Sequence, residues 1–238
     1  MVYSVHQPQY IPWLGFFDKI DKSDLFVFLD DVQYKHREFQ NRNKIRVKEG
    51  WIWLTVPVLS ARGEKIRDVR IDNTRDWRSA HAKSLKSWYS RAPYFKTYYP
   101  FFEDLYARNW SRLADLNVRV IEFFLESLGL KKPLYLESDL KAGGEKTQRI
   151  INIGRKLKAD VYLSGSGGRD YLDEDMFGAC GMKLRYQEFV HPLYRQQFSK
   201  GKIDFIRHLS LLDLLFNEGE KSLKILRGVV KTSTQEEA

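Results

Sequence analysis

VYSVHQPQYIPWLGFFDKIDKSDLFVFLDD, residues 2–31, decides the fold, because it reads in order as strand, polar turn, helix and second strand. Val2 to Val5 are apolar or β-favouring and run into His6, Gln7 and Pro8, while Leu25 to Leu29 form a second apolar run that ends on Asp30 and Asp31. Between them Trp13, Leu14, Phe16, Phe17 and Ile20 recur at helical spacing and predict a helix packed on the strands. In an open parallel sheet, ligands bind outside the carboxyl ends of the strands. His6, Gln7, Asp30 and Asp31 are therefore the first candidates for a site.

Beyond this stretch, Arg42 to Val47 and Trp51 to Val58 flank Lys48-Glu49-Gly50 and predict a β-hairpin, followed by a short strand over Ile66 to Ile71. From Asp76 the period becomes helical. One helix includes Trp77, Leu85, Trp88 and Tyr89, a second covers Phe101 to Ala107, and a third runs from a Ser111 cap to the Gly129 stop. The α/β rhythm then returns, with strand Leu134 to Glu137, helix Thr147 to Lys158 and strand Asp160 to Leu163. A glycine-rich turn follows at Ser164-Gly165-Ser166-Gly167-Gly168-Arg169, then a short helix near Tyr171 to Phe177, a strand at Leu184 to Phe189 and a helix at Leu209 to Phe216. The expected fold class is α/β: a mainly parallel, Rossmann-like sheet with a β-hairpin and a helical middle section. We expect one domain over 1–230, with 72–130 as a helical insert or layer and 231–238 as a frayed tail.

At 238 residues the chain can bury a large core, and no apolar run approaches the length that spans a bilayer. The first residues enter a strand directly, without a basic-then-apolar leader, and the lone Cys180 has no partner for an internal disulfide. These readings predict a cytoplasmic protein. A formal charge of +9 suggests an anionic partner: nucleotide, sugar nucleotide, nucleic acid or membrane surface. The cations are dispersed, however, and no RNA-binding signature is present, so a small anionic molecule is the expected partner and nucleic acid is not.

The candidate residues divide by chemistry. His6 is placed to act as acid or base, and Asp30 as a base or as a ligand to Mg2+ carried with a nucleotide. Gln7 and Tyr10 offer neutral hydrogen bonds, and Trp13, at the start of the first helix, offers a ring to stack on a base or sugar. Asn41 and Arg42 lie in a donor-rich loop that can clamp an acidic ligand. The glycines of the 164–169 turn allow close backbone approach, with Ser164, Ser166 and Arg169 as donors to a phosphate or carboxylate. The turn lacks both the Walker lysine and the dinucleotide glycine spacing. His191, before Pro192, leaves the last strand in extended form and is a further candidate.

HQPQYIPWLGFFDKI (6–20), DDVQY (30–34), QNRNKI (40–45), WLTVPV (53–58), RAPYF (91–95), YLSGSGGRDYLD (162–173), HPLY (191–194) and LSLLDLLFN (209–217) resemble the WbqC-like family in that order, over nearly the whole chain to about Gly219. The resemblance implies a role in bacterial surface-polysaccharide, especially O-antigen, biosynthesis, and constrains the pathway better than the reaction. The expected function is transfer of an acyl or aminoacyl group to a nucleotide-linked amino sugar. The opening turn is also distantly similar to nucleotidylyltransferases. Trp13-Leu14-Gly15-Phe16 stands where their H-x-G-H motif would be, so both motif histidines are absent. That enzyme class is one alternative; an RNA-binding or scaffold protein using Trp77, Trp88 and Tyr94 is the other.

Overall fold

A computed structural model describes residues 1–199 and 204–229; the expected tail at 231–238 lies outside the described residues. β1 (Val2–His6), β2 (Leu25–Phe28), β7 (Leu134–Leu136), β8 (Val161–Ser164) and β9 (Lys183–Tyr186) form one sheet in the order β7-β2-β1-β8-β9, and every neighbouring pair is parallel. Counted along the chain, these strands stand 3-2-1-4-5. The chain thus winds outward from β1 on one side, then returns to wind outward on the other, and the reversal falls between β1 and β8.

Alternation along the strands divides the core into two layers. On one face Phe26 and Phe28 pack with Phe16, Phe17 and Ile20 of α1 (Leu14–Asp21) and continue into the helical section. On the other, Tyr3, Val5, Leu25 and Val27 pack with Ile150, Ile151 and Ile153 of α6 (Lys146–Lys156) and Phe177 of α7 (Glu174–Ala179). A parallel sheet covered on both faces needs apolar residues on both, and β2 is buried at all four positions.

The hairpin is present as β3 (Arg42–Val47) and β4 (Gly50–Thr55), closed by the two residues Lys48 and Glu49. Its outer continuation differs from expectation: β5 (Val58–Leu59) pairs with β6 (Arg70–Ile71), and Ile66–Asp68 forms a short 3-10 turn. The helical section comprises α2 (Trp77–Tyr89), α3 (Phe95–Ala107) and α4 (Leu113–Leu128), packed with α8 (Leu211–Glu218) in the same core as α1. α3 begins six residues before the expected Phe101, carrying Pro100 inside it, because Phe95, Tyr98 and Tyr99 are all buried there. α4 starts after Arg112 with no side-chain cap, not on Ser111, and ends on Gly129 at φ +69°, as a left-handed glycine stop requires. The short α5 (Glu137–Leu140) follows β7, and α9 (Ser222–Leu226) closes the described chain.

Candidate functional site at the carboxyl rim

β1 and β8 are hydrogen-bonded neighbours, with Val2 opposite Val161 and Tyr3 opposite Tyr162. The same register puts His6 abreast of Gly165, so the opening turn and the glycine turn leave the sheet side by side at its reversal point. His6 is half-buried, on the α1 face, with its ring edge-on to Phe16 at 5.1 Å. Its Nδ1 lies 3.0 Å from the Gln7 carbonyl oxygen, which can only accept, so Nδ1 carries the hydrogen and Nε2 keeps the lone pair. Burial, and then the nearby Lys19 ammonium, hold the His6 pKa down at about 3. His6 is therefore a neutral ring that accepts a proton or hydrogen bond, not an imidazolium donor.

Lys19 lies beneath this turn. It is 3% exposed and donates to the Val5 carbonyl at 3.0 Å, and burial lowers its pKa to about 7. Beside it Asp18 pairs with Lys22 at 2.9 Å, and Gln187, just past β9, donates to both Asp18 (2.6 Å) and the Gly15 carbonyl (2.8 Å). Sequence reading passed over Lys19 and Gln187. Lys19 looks like an ordinary solvated position on α1, and only the fold turns it toward the strand.

In the glycine turn, Ser166–Asp170 forms a 3-10 turn. Ser164 is buried and on the opposite sheet face from His6, since it is level with Val5, and its hydroxyl donates to the Gly165 carbonyl at 3.0 Å. The structure thus joins His6 to the backbone of this turn but not to the Ser164 side chain. Gly165 and Gly167 have no neighbour within 4 Å of where a Cβ would stand, and neither has a positive φ. The fold itself does not need glycine at either place. Gly168 is different: a Cβ there would stand 2.0 Å from Ser164 Oγ and 2.9 Å from a Leu172 methyl. Gly168→Ala is expected to cost about 1–3 kcal/mol by overpacking, while Gly165→Ala stays within about 0.5 kcal/mol of the parent, as read by chemical denaturation. Equal stabilities for the two variants would contradict this packing. Arg169 is exposed, with its guanidinium 4.0 Å over the Tyr186 ring, and Tyr186 in turn donates to Glu174 at 2.7 Å. Arg169 forms no ion pair with a carboxylate among the described residues.

Gln7 ties this rim to the loop after β2, because Gln40 donates to its side-chain oxygen at 2.6 Å. Next to Gln40, Asn41 and Arg42 line a hollow of about 450 Å³ with Tyr34, His36, Arg37, Thr55 and Val58. Asn41 is buried and donates to the Val56 carbonyl at 2.9 Å, while its side-chain oxygen has no partner. Arg42 donates to the Arg37 carbonyl and lies 4.3 Å over Trp53, with its Nε unpartnered. Burial pushes the Tyr34 phenol up to about 12.

The other candidates lie apart. Asp30 is 2% exposed, and its two oxygens accept from the Ser138 amide (2.9 Å) and hydroxyl (2.6 Å), so the expected base is occupied in anchoring the start of α5. It borders a separate hollow of about 710 Å³ with Arg67, Trp110 and Arg112. Asp31 points elsewhere, to Lys65 and Arg67, each at 2.8 Å. Tyr10 is wholly buried, its hydroxyl bonded to His81 (2.9 Å) and Tyr106 (2.6 Å), and it has no surface to offer a ligand. Trp13 lies over Gly15 and packs edge-on against Phe189 and His208. His191 is bonded on both ring nitrogens, donating to the Pro192 carbonyl and accepting from the His208 amide, in an aromatic cluster with Phe189, Tyr194 and Phe205. A further hollow of about 780 Å³, lined by Trp88, Arg91, Arg195 and Phe198 among others, lies between the end of α2 and residues 193–199 with Phe205. Neither His6 nor the glycine turn lines any of these three hollows. Among the described residues, no group of three or more His, Cys, Asp or Glu is placed to hold a metal ion.

The fold and the rim define a doubly wound α/β protein whose reversal point carries a neutral imidazole beside a glycine turn. The chain belongs to the WbqC-like protein family, whose model matches residues 7–225. It is 34% identical over 228 residues to a Mycobacterium tuberculosis (strain ATCC 25618 / H37Rv) protein described as uncharacterized protein Rv1507c, covering 94% of this chain and 96% of that one. No solved structure matches the chain significantly. No helix among the described residues is long and apolar enough to cross a membrane.

Proposed function

We propose that this protein is a transferase of bacterial surface-polysaccharide (O-antigen) assembly that acylates or aminoacylates a nucleotide-linked amino sugar held at the β1–β8 rim. The observation that supports it best is the coincidence of the sheet's reversal with two ligand-compatible strand ends, His6 on β1 and the glycine turn on β8. The unforced glycines at 165 and 167 leave the backbone open to phosphates, and Arg169 supplies a cation not neutralised by a carboxylate among the described residues. Gln7, Asn41 and Arg42 would contact the sugar or its acyl donor from the loop side. Magnesium arriving with the nucleotide would take most of its ligands from the phosphates themselves.

In this reaction the amine lone pair attacks the activated carbonyl carbon of the donor, a C–N bond forms, and the bond to the donor's leaving group breaks. His6 Nε2 accepts the amine hydrogen and returns it to the departing group. A ring of such low basicity mainly orients the amine, holding the proton only in passing. The test is a thermal-shift screen with sugar nucleotides, followed by turnover assays on His6→Ala and Arg169→Ala. A bound ligand should raise the parent's melting temperature, Arg169→Ala should abolish most of that rise, and His6→Ala should slow turnover by up to about 10²-fold through lost orientation of the amine. Normal ligand shifts and rates in both folded variants would remove the assignment. Pyrophosphate release from a nucleoside triphosphate would replace it with nucleotidyl transfer.

A further inference from the structure

One face of the β3–β4 hairpin is turned away from the core. The register sets Arg42 opposite Thr55, Lys44 opposite Trp53 and Arg46 opposite Trp51, so these six share a face, covered at Arg46, which is 4% exposed and donates to the Gln197 carbonyl, and open at the other five, while Ile45, Ile52 and Leu54 on the other face enter the core. On the outward face Trp51 is 41% exposed, and Phe39, from the preceding loop, is 38% exposed and 6.0 Å from Trp53. Trp51 and Trp53 meet edge to face at 5.4 Å. Lys44 stands 4.3 Å over Trp51 and 5.4 Å over Trp53, and Arg42 4.3 Å over Trp53.

Around this aromatic strip the segment carries Lys35, Arg37, Arg42, Lys44 and Lys48 at exposed or half-exposed positions, against the carboxylates Glu38 and Glu49. None of the five cations forms an ion pair with a carboxylate among the described residues. The core needs neither the tryptophans nor the positive excess here. Half-exposed indoles beside cations are the pairing found where proteins meet lipid headgroups: the indoles settle at the water–lipid boundary and the cations meet anionic lipid.

We propose that this hairpin face docks the protein peripherally on an anionic bilayer. Charge complementarity names the partner, and the cations resting on the indole rings favour it over base stacking, which needs free ring faces. Arg42 and Thr55 also line the hollow beside Asn41, so docking brings that opening close to the membrane surface. The inference does not rest on the transferase reading.

The experiment is sedimentation of the full chain with phosphatidylcholine vesicles, with and without phosphatidylglycerol, alongside tryptophan emission and quenching by brominated lipid. Binding is expected only with phosphatidylglycerol, with a blue shift and quenching, and it should weaken as salt rises. Trp51→Ala with Trp53→Ala should weaken binding about tenfold, and Lys44→Gln about fivefold. Each variant's melting temperature, compared with the parent's, separates lost docking from lost folding. The proposal is overturned if the parent ignores vesicles or binds neutral and anionic ones alike. It is equally overturned if it binds anionic vesicles without quenching or without sensitivity to these substitutions. An oligonucleotide that binds through the same residues and strips the protein from vesicles would reassign the face to nucleic acid.

Discussion

Acidification from about pH 7 to about pH 4.5 is expected to lower the unfolding free energy by about 5 kcal/mol. Three histidines drive it. Burial lowers His81 and His191 to about 4 and His6 to about 3, against an ordinary value of 6.5. Between those values and 6.5 the unfolded chain binds protons that the folded chain refuses, so stability is full above 6.5 and falls as the pH drops. Asp213 acts in the opposite direction, because burial raises it from 3.8 to about 6. The folded chain holds that proton where the unfolded chain has released it, so Asp213 returns part of the loss. Near pH 5 the balance is about two protons taken up on unfolding, or roughly 3 kcal/mol for each pH unit. Urea denaturation at the two pH values checks this; a change below about 1 kcal/mol would show that the rings titrate freely in the folded state.

Asp213→Ala should be the most damaging polar substitution in the core, with an expected loss of about 4 kcal/mol. The carboxylate is fully buried in α8, and its oxygens accept from the hydroxyls of Tyr89 and Tyr194, each at 2.8 Å. Tyr89 in turn accepts from the Arg46 amide at 2.8 Å, and Tyr194 from Gln196 at 3.2 Å. Alanine leaves two buried phenols without their acceptor, and each unsatisfied group costs about 1–3 kcal/mol. Asp213→Asn keeps the shape and one acceptor and should lose roughly half as much. Denaturation midpoints and slopes for both variants give the comparison. An alanine variant as stable as the asparagine one would mean that the network carries little energy.

Much of the sheet was legible because its physics is local. β1, α1 and β2 announce themselves by period, and the hairpin by alternation about a short turn. The five parallel strands follow from helices spaced between them. β5 and β6 were not legible as a pair, since two-residue strands leave no periodic trace and their partnership is decided by packing. The helix expected from Phe101 starts instead at Phe95, because the loss of one backbone hydrogen bond at Pro100 is outweighed by the aromatic residues buried on either side of it. At the site, strand ends could be read but side-chain direction could not. Ser164 falls on the far face by the parity of one residue, and Tyr10 turns into the core in a stretch where Ile11 takes φ +38°. Nothing in the run His6 to Pro12 announces that reversal. Asp30 read correctly as the end of a strand, but its Ser138 partner lies 108 positions away and has no local signature.

The order of the sheet also governs how the chain can come together. Phe28 of β2 pairs with Leu136 of β7, and Val2 of β1 with Val161 of β8. Both closures span more than 100 residues, and the loop entropy must be surrendered before either contact rewards it. During synthesis β1 and β2 emerge before β8, so the edge of β1 that β8 later covers has no neighbour until the ribosome has released residues far downstream. For that interval the growing polypeptide shows an unpaired, apolar ribbon to its surroundings, the kind of edge that holdase chaperones shelter.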